Sequence, residues 1–257
     1  MAPSDRHDRE ARARLRGYTA RQQVHATQQR RRRRDDVAAV VGVVVVVSLA
    51  VVAQVVWYQA DDGSEASASA SASAAPTSTG DVPSSDIAEG RTWTGELDLN
   101  DDVVLGISLD GAAAPQAASV VIDLIRDGFY TGTACHRMSD APTAEFLQCG
   151  SANGDGTGDA GFTFGPLENV PADGTYPAGT IAMARGTDPD SQSTQFFVTY
   201  GDTQLDASTG GYTVVGQVTS GLDQLTANVT DAGLTPGASD TDGAPVVPTT
   251  ITGASVE

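Results

Sequence analysis

The chain has 257 residues and a formal net charge of −18, with 33 acidic residues against 15 basic ones, all of them arginine. That length suits one large domain or two small ones, and two cysteines, Cys135 and Cys149, are too few for a disulfide-dense scaffold. Residues 1–60 carry eleven arginines against five acids, for +6, and residues 61–257 carry four against 28, for −24; a body so acidic repels nucleic acid and anionic membrane surfaces.

Residues 1–36 are polar and end in a run of five arginines, Arg30 to Arg34. Residues 37–58, VAAVVGVVVVVSLAVVAQVVWY, carry no charge. As a helix rising 1.5 Å per residue they reach about 33 Å, enough for a hydrocarbon core of roughly 30 Å. Trp57 and Tyr58 stand at the exit, where amphipathic rings favour the interface, and the arginines before the entrance place the N-terminus in the cytoplasm. A cleaved signal peptide is the competing reading, but the apolar stretch is longer than a usual signal core and the basic region before it is long. The expectation is a basic cytoplasmic tail (1–36), a retained single-pass helix (37–58) and an extracytoplasmic remainder. Residues 59–90 are rich in Ser and Ala and nearly free of aromatics. Such a segment cannot bury a core and reads as a disordered linker.

Residues 91–257 are long enough for one core. WTGELDLN and VVLGISLD read as two strands of a hairpin around Asn100-Asp101-Asp102. A helix follows, with Pro115 in its first turn, Ala118, Val121, Ile122 and Ile125 at helical spacing, and Gly128 to end it. Short strands then alternate with Gly-rich loops at TACHRM, EFLQCG, TIAMAR, TQFFVTY and YTVVGQV. A second helix is expected at Leu222–Val229, and a last strand in VPTTITGASV. Many short strands with two helices predict a mainly β fold, an antiparallel barrel or sandwich.

Across residues 93–257 an ordered set of motifs resembles the cyclophilin family: Gly128-Phe129-Tyr130-Thr131-Gly132, then His136-Arg137, Phe146-Leu147-Gln148-Cys149-Gly150 and Gly154-Asp155-Gly156-Thr157-Gly158. Ala182-Met183-Ala184-Arg185, Gln195-Phe196-Phe197, Leu205-Asp206 and Gly211-Tyr212-Thr213-Val214-Val215-Gly216 complete it. Each fragment is weak alone, and their joint order is specific. The resemblance implies a closed eight-stranded antiparallel β-barrel capped by two helices, with the site on the barrel's outer face. It also implies a peptidyl-prolyl cis-trans isomerase acting on Pro-containing polypeptides as a monomeric domain.

The chemistry asks for few groups. Rotation about X–Pro meets a barrier of about 18–20 kcal/mol from amide resonance. No cofactor, metal or covalent intermediate is needed. An enzyme must hold the twisted state more tightly than either planar isomer, and in that state the prolyl nitrogen regains a lone pair. Arginine, always charged and donating from a rigid fork, suits that nitrogen. By the resemblance Arg137 takes this role and Gln148 holds the substrate backbone. Phe146, Met183, Phe197 and Leu205 line or back the proline slot, Ala184, Arg185 and Gln195 contact the residue before proline, and Tyr212 offers a hydroxyl to the substrate or covers the pocket edge.

Three positions depart from the family pattern. Glu145 stands where an aromatic of the slot is usual, Ser151 where an aspartate is usual, and Gln204 where cyclosporin-sensitive members carry tryptophan. The resemblance places Cys135 and Cys149 on neighbouring strands, so a disulfide is a candidate in an oxidising compartment, with two buried free thiols the alternative. Zinc does not suit them, since with His136 they make only three ligands. Two other functions remain in play: a catalytically weak proline-peptide-binding module, suggested by Glu145 and Ser151, and a tethered structural domain.

Overall fold

The computed structural model describes residues 78–257. The expected tail (1–36), the apolar span (37–58) and the part of the linker before residue 78 lie outside the described residues. Among the described residues, no helix is long and apolar enough to cross a membrane.

Folding begins earlier than residue 91, inside the segment expected as linker. Thr79 pairs with Thr163, and Ser85–Ala88 forms a 3-10 turn capped by the Ser84 side chain. Ala88 is fully buried, and its backbone N–H donates to Ser119 Oγ at 2.9 Å while its carbonyl accepts from Trp93 Nε1 at 2.9 Å. A short run of small residues escapes a compositional reading because its order comes from partners far along the chain.

The strands are β1 (Thr92–Leu99), β2 (Val103–Asp110), β3 (Arg137–Ala141), β4 (Ala144–Cys149), β5 (Thr175–Tyr176), β6 (Thr180–Met183), β7 (Phe196–Thr199), β8 (Thr203–Gln204), β9 (Val214–Ser220), β10 (Leu234–Ser239), β11 (Asp242–Pro245) and β12 (Ile251–Val256). Among the described residues two α-helices, α1 (Pro115–Arg126) and α2 (Leu222–Asn228), and a 3-10 turn at Thr230–Ala232 complete the regular structure. Ten strands form one antiparallel sheet in the order β10-β11-β3-β4-β7-β6-β9-β2-β1-β12, and β5 pairs with β8 separately. The chain just before β3 also meets the chain just before β12. Cys135 N donates to Thr249 O at 2.8 Å, and Ile251 N donates to Thr133 O at 2.9 Å.

The hairpin β1–β2 runs in unbroken register from Thr92↔Asp110 to Leu99↔Val103. Its turn uses Asn100 at φ +52°, a conformation asparagine tolerates better than most residues. Helix α1 starts at Pro115, which lacks the N–H that a first turn leaves unpaired. The next two donors are satisfied from a distance: Gln116 N and Ala117 N bond the Glu168 carboxylate at 3.1 and 2.9 Å. A negative group there also complements the helix dipole.

Alternation along the strands divides the apolar residues between two surfaces. On one face Leu105, Leu147, Ile181, Met183, Phe196 and Val198 join the main core beneath α1. On the other, Phe146, Ala182 and Phe197 form a second cluster with Tyr176. Cys135 and Cys149 are disulfide-bonded and buried in the main core, tying the approach to β3 to the end of β4.

Closing a loop of 15 residues by this bond contributes about 3 kcal/mol in the chain-entropy view. Replacing both cysteines by serine is therefore expected to lower the unfolding free energy by about that much in denaturant titration. Reducing agent should reproduce the loss in the wild type and leave the variant unchanged.

Candidate active site

The second apolar cluster floors an open cleft of about 250 Å³. Phe146 on β4 and Phe197 on β7 reach it because both occupy the outward phase of their strands, with ring centroids 5.3 Å apart. Tyr212 stands edge-on to Phe197 at 5.5 Å, and Leu205 and Ala184 add to the rim. Beneath them lies fully buried Tyr176, whose hydroxyl accepts from Tyr212 N at 2.8 Å. It braces the Tyr212 loop, and its two-residue strand is too short to show a period in the sequence.

Glu145 does not interrupt this slot. It sits one residue before Phe146 and so points the other way, with its carboxylate close to Gly201. Phe146 supplies the aromatic surface where the motif alignment had placed Glu145. Met183, expected at the slot, does not reach this cleft: it is fully buried in the main core, because it has the inward phase on β6 and Ala182 has the outward one. Ser151, also fully buried, accepts the Gly156 N–H at 3.1 Å and so orders the glycine loop. Gln204 bonds Thr175 and the Asp173 carbonyl instead of entering the cleft.

The polar wall runs in one line. β3 and β4 pair Arg137 with Gln148. Arg137 Nη1 donates to Gln148 Oε1 at 3.1 Å, Gln148 Nε2 to Gln195 Oε1 at 2.9 Å, and Gln195 Nε2 to the Gly156 carbonyl at 3.0 Å. Each amide is thereby oriented by its neighbour. Arg137 also has a partner that the sequence did not suggest. Asp242 on β11 accepts from Nε at 3.0 and 3.1 Å and from Nη2 at 2.6 Å. Those bonds hold the guanidinium above its ordinary pKa, against the opposing effect of burial. Three of its five N–H groups are committed in this way, leaving one on Nη1 and one on Nη2. Its carbon lies 5.1 Å from the centre of the Phe146 ring, so the cation stands beside the apolar floor.

Arg185, expected as a substrate contact, lines the cleft and is also bound to its own surroundings. Its Nε donates to Gly211 O at 2.8 Å, Nη1 to Gly186 O at 2.9 Å, and Nη2 to Thr209 O and Oγ1 at 2.9 and 3.0 Å. It also lies 5.0 Å from the Tyr212 ring centre. A guanidinium so engaged ties the loop carrying Tyr212 to the end of β6. Beyond Gln148, Ala184 and Gln195 a second cleft of about 390 Å³ runs along the glycine loop. The two clefts share Gln148, Ala184 and Arg185, so they form a continuous groove.

Residues 96–256 match the family described as cyclophilin type peptidyl-prolyl cis-trans isomerase/CLD. This chain belongs to that family. It is 35% identical over 161 residues to the probable peptidyl-prolyl cis-trans isomerase B of Mycobacterium tuberculosis, covering 58% of this chain and 49% of the relative. It is 34% identical over 138 residues to a probable peptidyl-prolyl cis-trans isomerase of Brucella abortus, covering 50% and 67%. The chain thus spans about half the length of the mycobacterial relative it matches. Its fold is similar to the cyclophilin type isomerase of Cryptosporidium parvum, with TM-score 0.53, 20% identity, and coverage of 65% of this chain and 98% of that one. The same Cryptosporidium protein has been solved in the presence of the dipeptide Ala-Pro.

Met183→Ala and Phe197→Ala should separate core from slot. The first is expected to lower stability by about 2–4 kcal/mol with peptide affinity within about twofold of wild type. The second should abolish measurable binding of an Ala-Pro peptide by calorimetry.

Proposed function

We propose that this cyclophilin-type chain catalyses rotation about X–Pro peptide bonds. The observation that carries the reading is the Arg137 guanidinium, held on two sides beside an apolar slot with two N–H groups still to give. A proline ring seated on Phe146, Phe197 and Leu205 would bring its nitrogen to that donor. Gln148 and Gln195 can hold the neighbouring backbone, which fixes one side of the bond while the other turns. A donor placed where the lone pair develops lowers the barrier only if it need not reorganise. The hydrogen bonds linking the ends of the eight-strand run β3-β4-β7-β6-β9-β2-β1-β12 support reading it as a closed barrel. A closed sheet would give the slot a rigid floor.

The cellular setting is part of the same proposal. The apolar span 37–58 acts as an anchor, residues 1–36 stay in the cytoplasm, and the isomerase domain works outside on newly exported or wall-associated polypeptides as a monomer. The buried disulfide supports an oxidising compartment.

Cis-to-trans conversion of an Ala-Pro peptide tests the reading in the full-length protein in mild detergent. Arg137→Ala is expected to lower kcat/KM by about 10²–10³-fold with little change in KM, as for loss of one transition-state donor. A wild type no faster than buffer refutes catalysis, and peptide binding without turnover would select a proline-peptide-binding module, the reading that Glu145 first suggested.

The pH profile follows from the same groups. Arg137, raised above its ordinary value by Asp242, stays charged throughout. His136 is lowered from 6.5, first by burial and then by neighbouring Arg137, so it is neutral at higher pH. The rate is expected to be flat between about pH 7 and 9. Below about pH 6.5 the unfolded chain takes up a proton at this histidine more readily than the folded one, so stability should fall as pH falls. Thermal unfolding across that range, with His136→Gln as reference, measures the contribution.

A further inference from the structure

The hairpin β10–β11 is the outermost addition to the main sheet. Most of β10 is exposed, and the hairpin joins β3 over a short stretch: the pairs Asp242↔Ser139 and Gly243↔Met138, and the Asp140 N–H donating to the Thr241 carbonyl at 3.1 Å. At the centre of that short junction is Asp242. It lies opposite Ser139, on the same face as Arg137 two residues away, at the diagonal spacing where long side chains meet. Gly243 lets the hairpin strands close there, since a Cβ would lie 1.9 Å from the Thr235 carbonyl oxygen.

We infer that Asp242 is a positioning residue for the reaction: it selects the one arginine rotamer that presents Arg137 to the slot. The inference rests on the isomerase reading and goes beyond it, to a residue that contacts the arginine and not the rotating bond itself. Without Asp242, Arg137 would keep a single side-chain hydrogen bond, to Gln148, and its side chain is substantially exposed, at 44% against 20% for that of Asp242. A long flexible side chain held at one point samples several rotamers. Held at Nε and Nη2 by a carboxylate and at Nη1 by an amide, the planar fork has one orientation, with the two remaining N–H groups on the Nη1 and Nη2 side. A carboxylate also damps the field of the cation it holds. The two effects oppose each other and predict opposite signs: loss of order slows rotation when Asp242 is removed, whereas loss of damping quickens it. A partly exposed pair is already screened by water, so order is the larger effect.

The experiment uses the full-length protein in mild detergent with four proteins: wild type, Asp242→Ala, Arg137→Ala and the double variant. Asp242→Ala is expected to lower kcat about 10- to 30-fold with KM within about twofold, and Asp242→Asn to fall between it and wild type. In the Arg137→Ala background the Asp242 substitution should cause no further loss, because its only route to the reaction has been removed. A second readout is independent of turnover. The Arg137 Nε–H proton, identified by its loss in Arg137→Ala, should be slowly exchanging and displaced in the nitrogen–proton spectrum of wild type, and should collapse into the free-arginine region in Asp242→Ala. Unchanged or faster kinetics in Asp242→Ala, or an equal loss in both backgrounds, overturns the inference. So does a fast-exchanging Arg137 Nε–H in wild type. An inactive wild type with a protected Nε–H refutes the isomerase reading and leaves the orienting contact standing.

Discussion

The site depends on a sheet that buries apolar surface on both sides. Most antiparallel sheets of this kind present one face to a core and the other to water. Here β4, β6 and β7 carry large apolar residues in both phases: Leu147, Met183 and Phe196 inward, and Phe146 and Phe197 outward with small Ala182 between them. The inward set ties the sheet to α1 and holds the strands in register. The outward set is covered only in part, by Tyr176, Tyr212 and Leu205, and the cleft that opens between Phe146 and Phe197 and their neighbours is the slot. A slip of one residue in any of the three strands would exchange the two sets and close the site.

Placing a cation beside such a floor needs compensation. Arg137 is one of only four arginines after residue 60, in a region with a net charge of −24. Its partners are arranged so that its charge remains while its freedom is lost. Asp242 and Gln148 take three N–H groups, and the Phe146 ring faces its carbon. Arg185, close by, is spent on backbone carbonyls and a threonine hydroxyl. One arginine of the groove is thus free to donate onward, and the other acts as a structural tie for the loop bearing Tyr212. Similar sequence context would not distinguish them; the difference is in which carbonyls lie within reach.

Much of the architecture was legible. The β1–β2 hairpin, the Pro115 start of α1, the helix at Leu222 and the central strands all appear where periodicity and turn residues place them. Local signals of that kind are written in consecutive residues. The β10–β11 hairpin was not legible, because Leu-Thr-Pro-Gly-Ala-Ser-Asp-Thr-Asp-Gly-Ala-Pro is punctuated like a loop and buries little. Asp242 was missed with it. Residues 78–90 were misread for a related reason: their order comes from Thr163, Ser119 and Trp93, far away in sequence.

The family, the arginine proposed to act on the prolyl nitrogen and the outline of the slot follow from motif order and residue chemistry alone, since those constraints act over a few residues or on side-chain type. The sequence also places an uncharged span before an acidic body, a matter of composition. Tertiary structure decided which side of each strand a residue faces and which distant group it meets. Met183 went to the core and Phe146 to the slot by strand phase. Glu168 capped α1 from across the fold, and Asp242 met Arg137 across 105 residues of chain. Such pairings depend on register and on contacts between distant strands, which no window of consecutive residues contains.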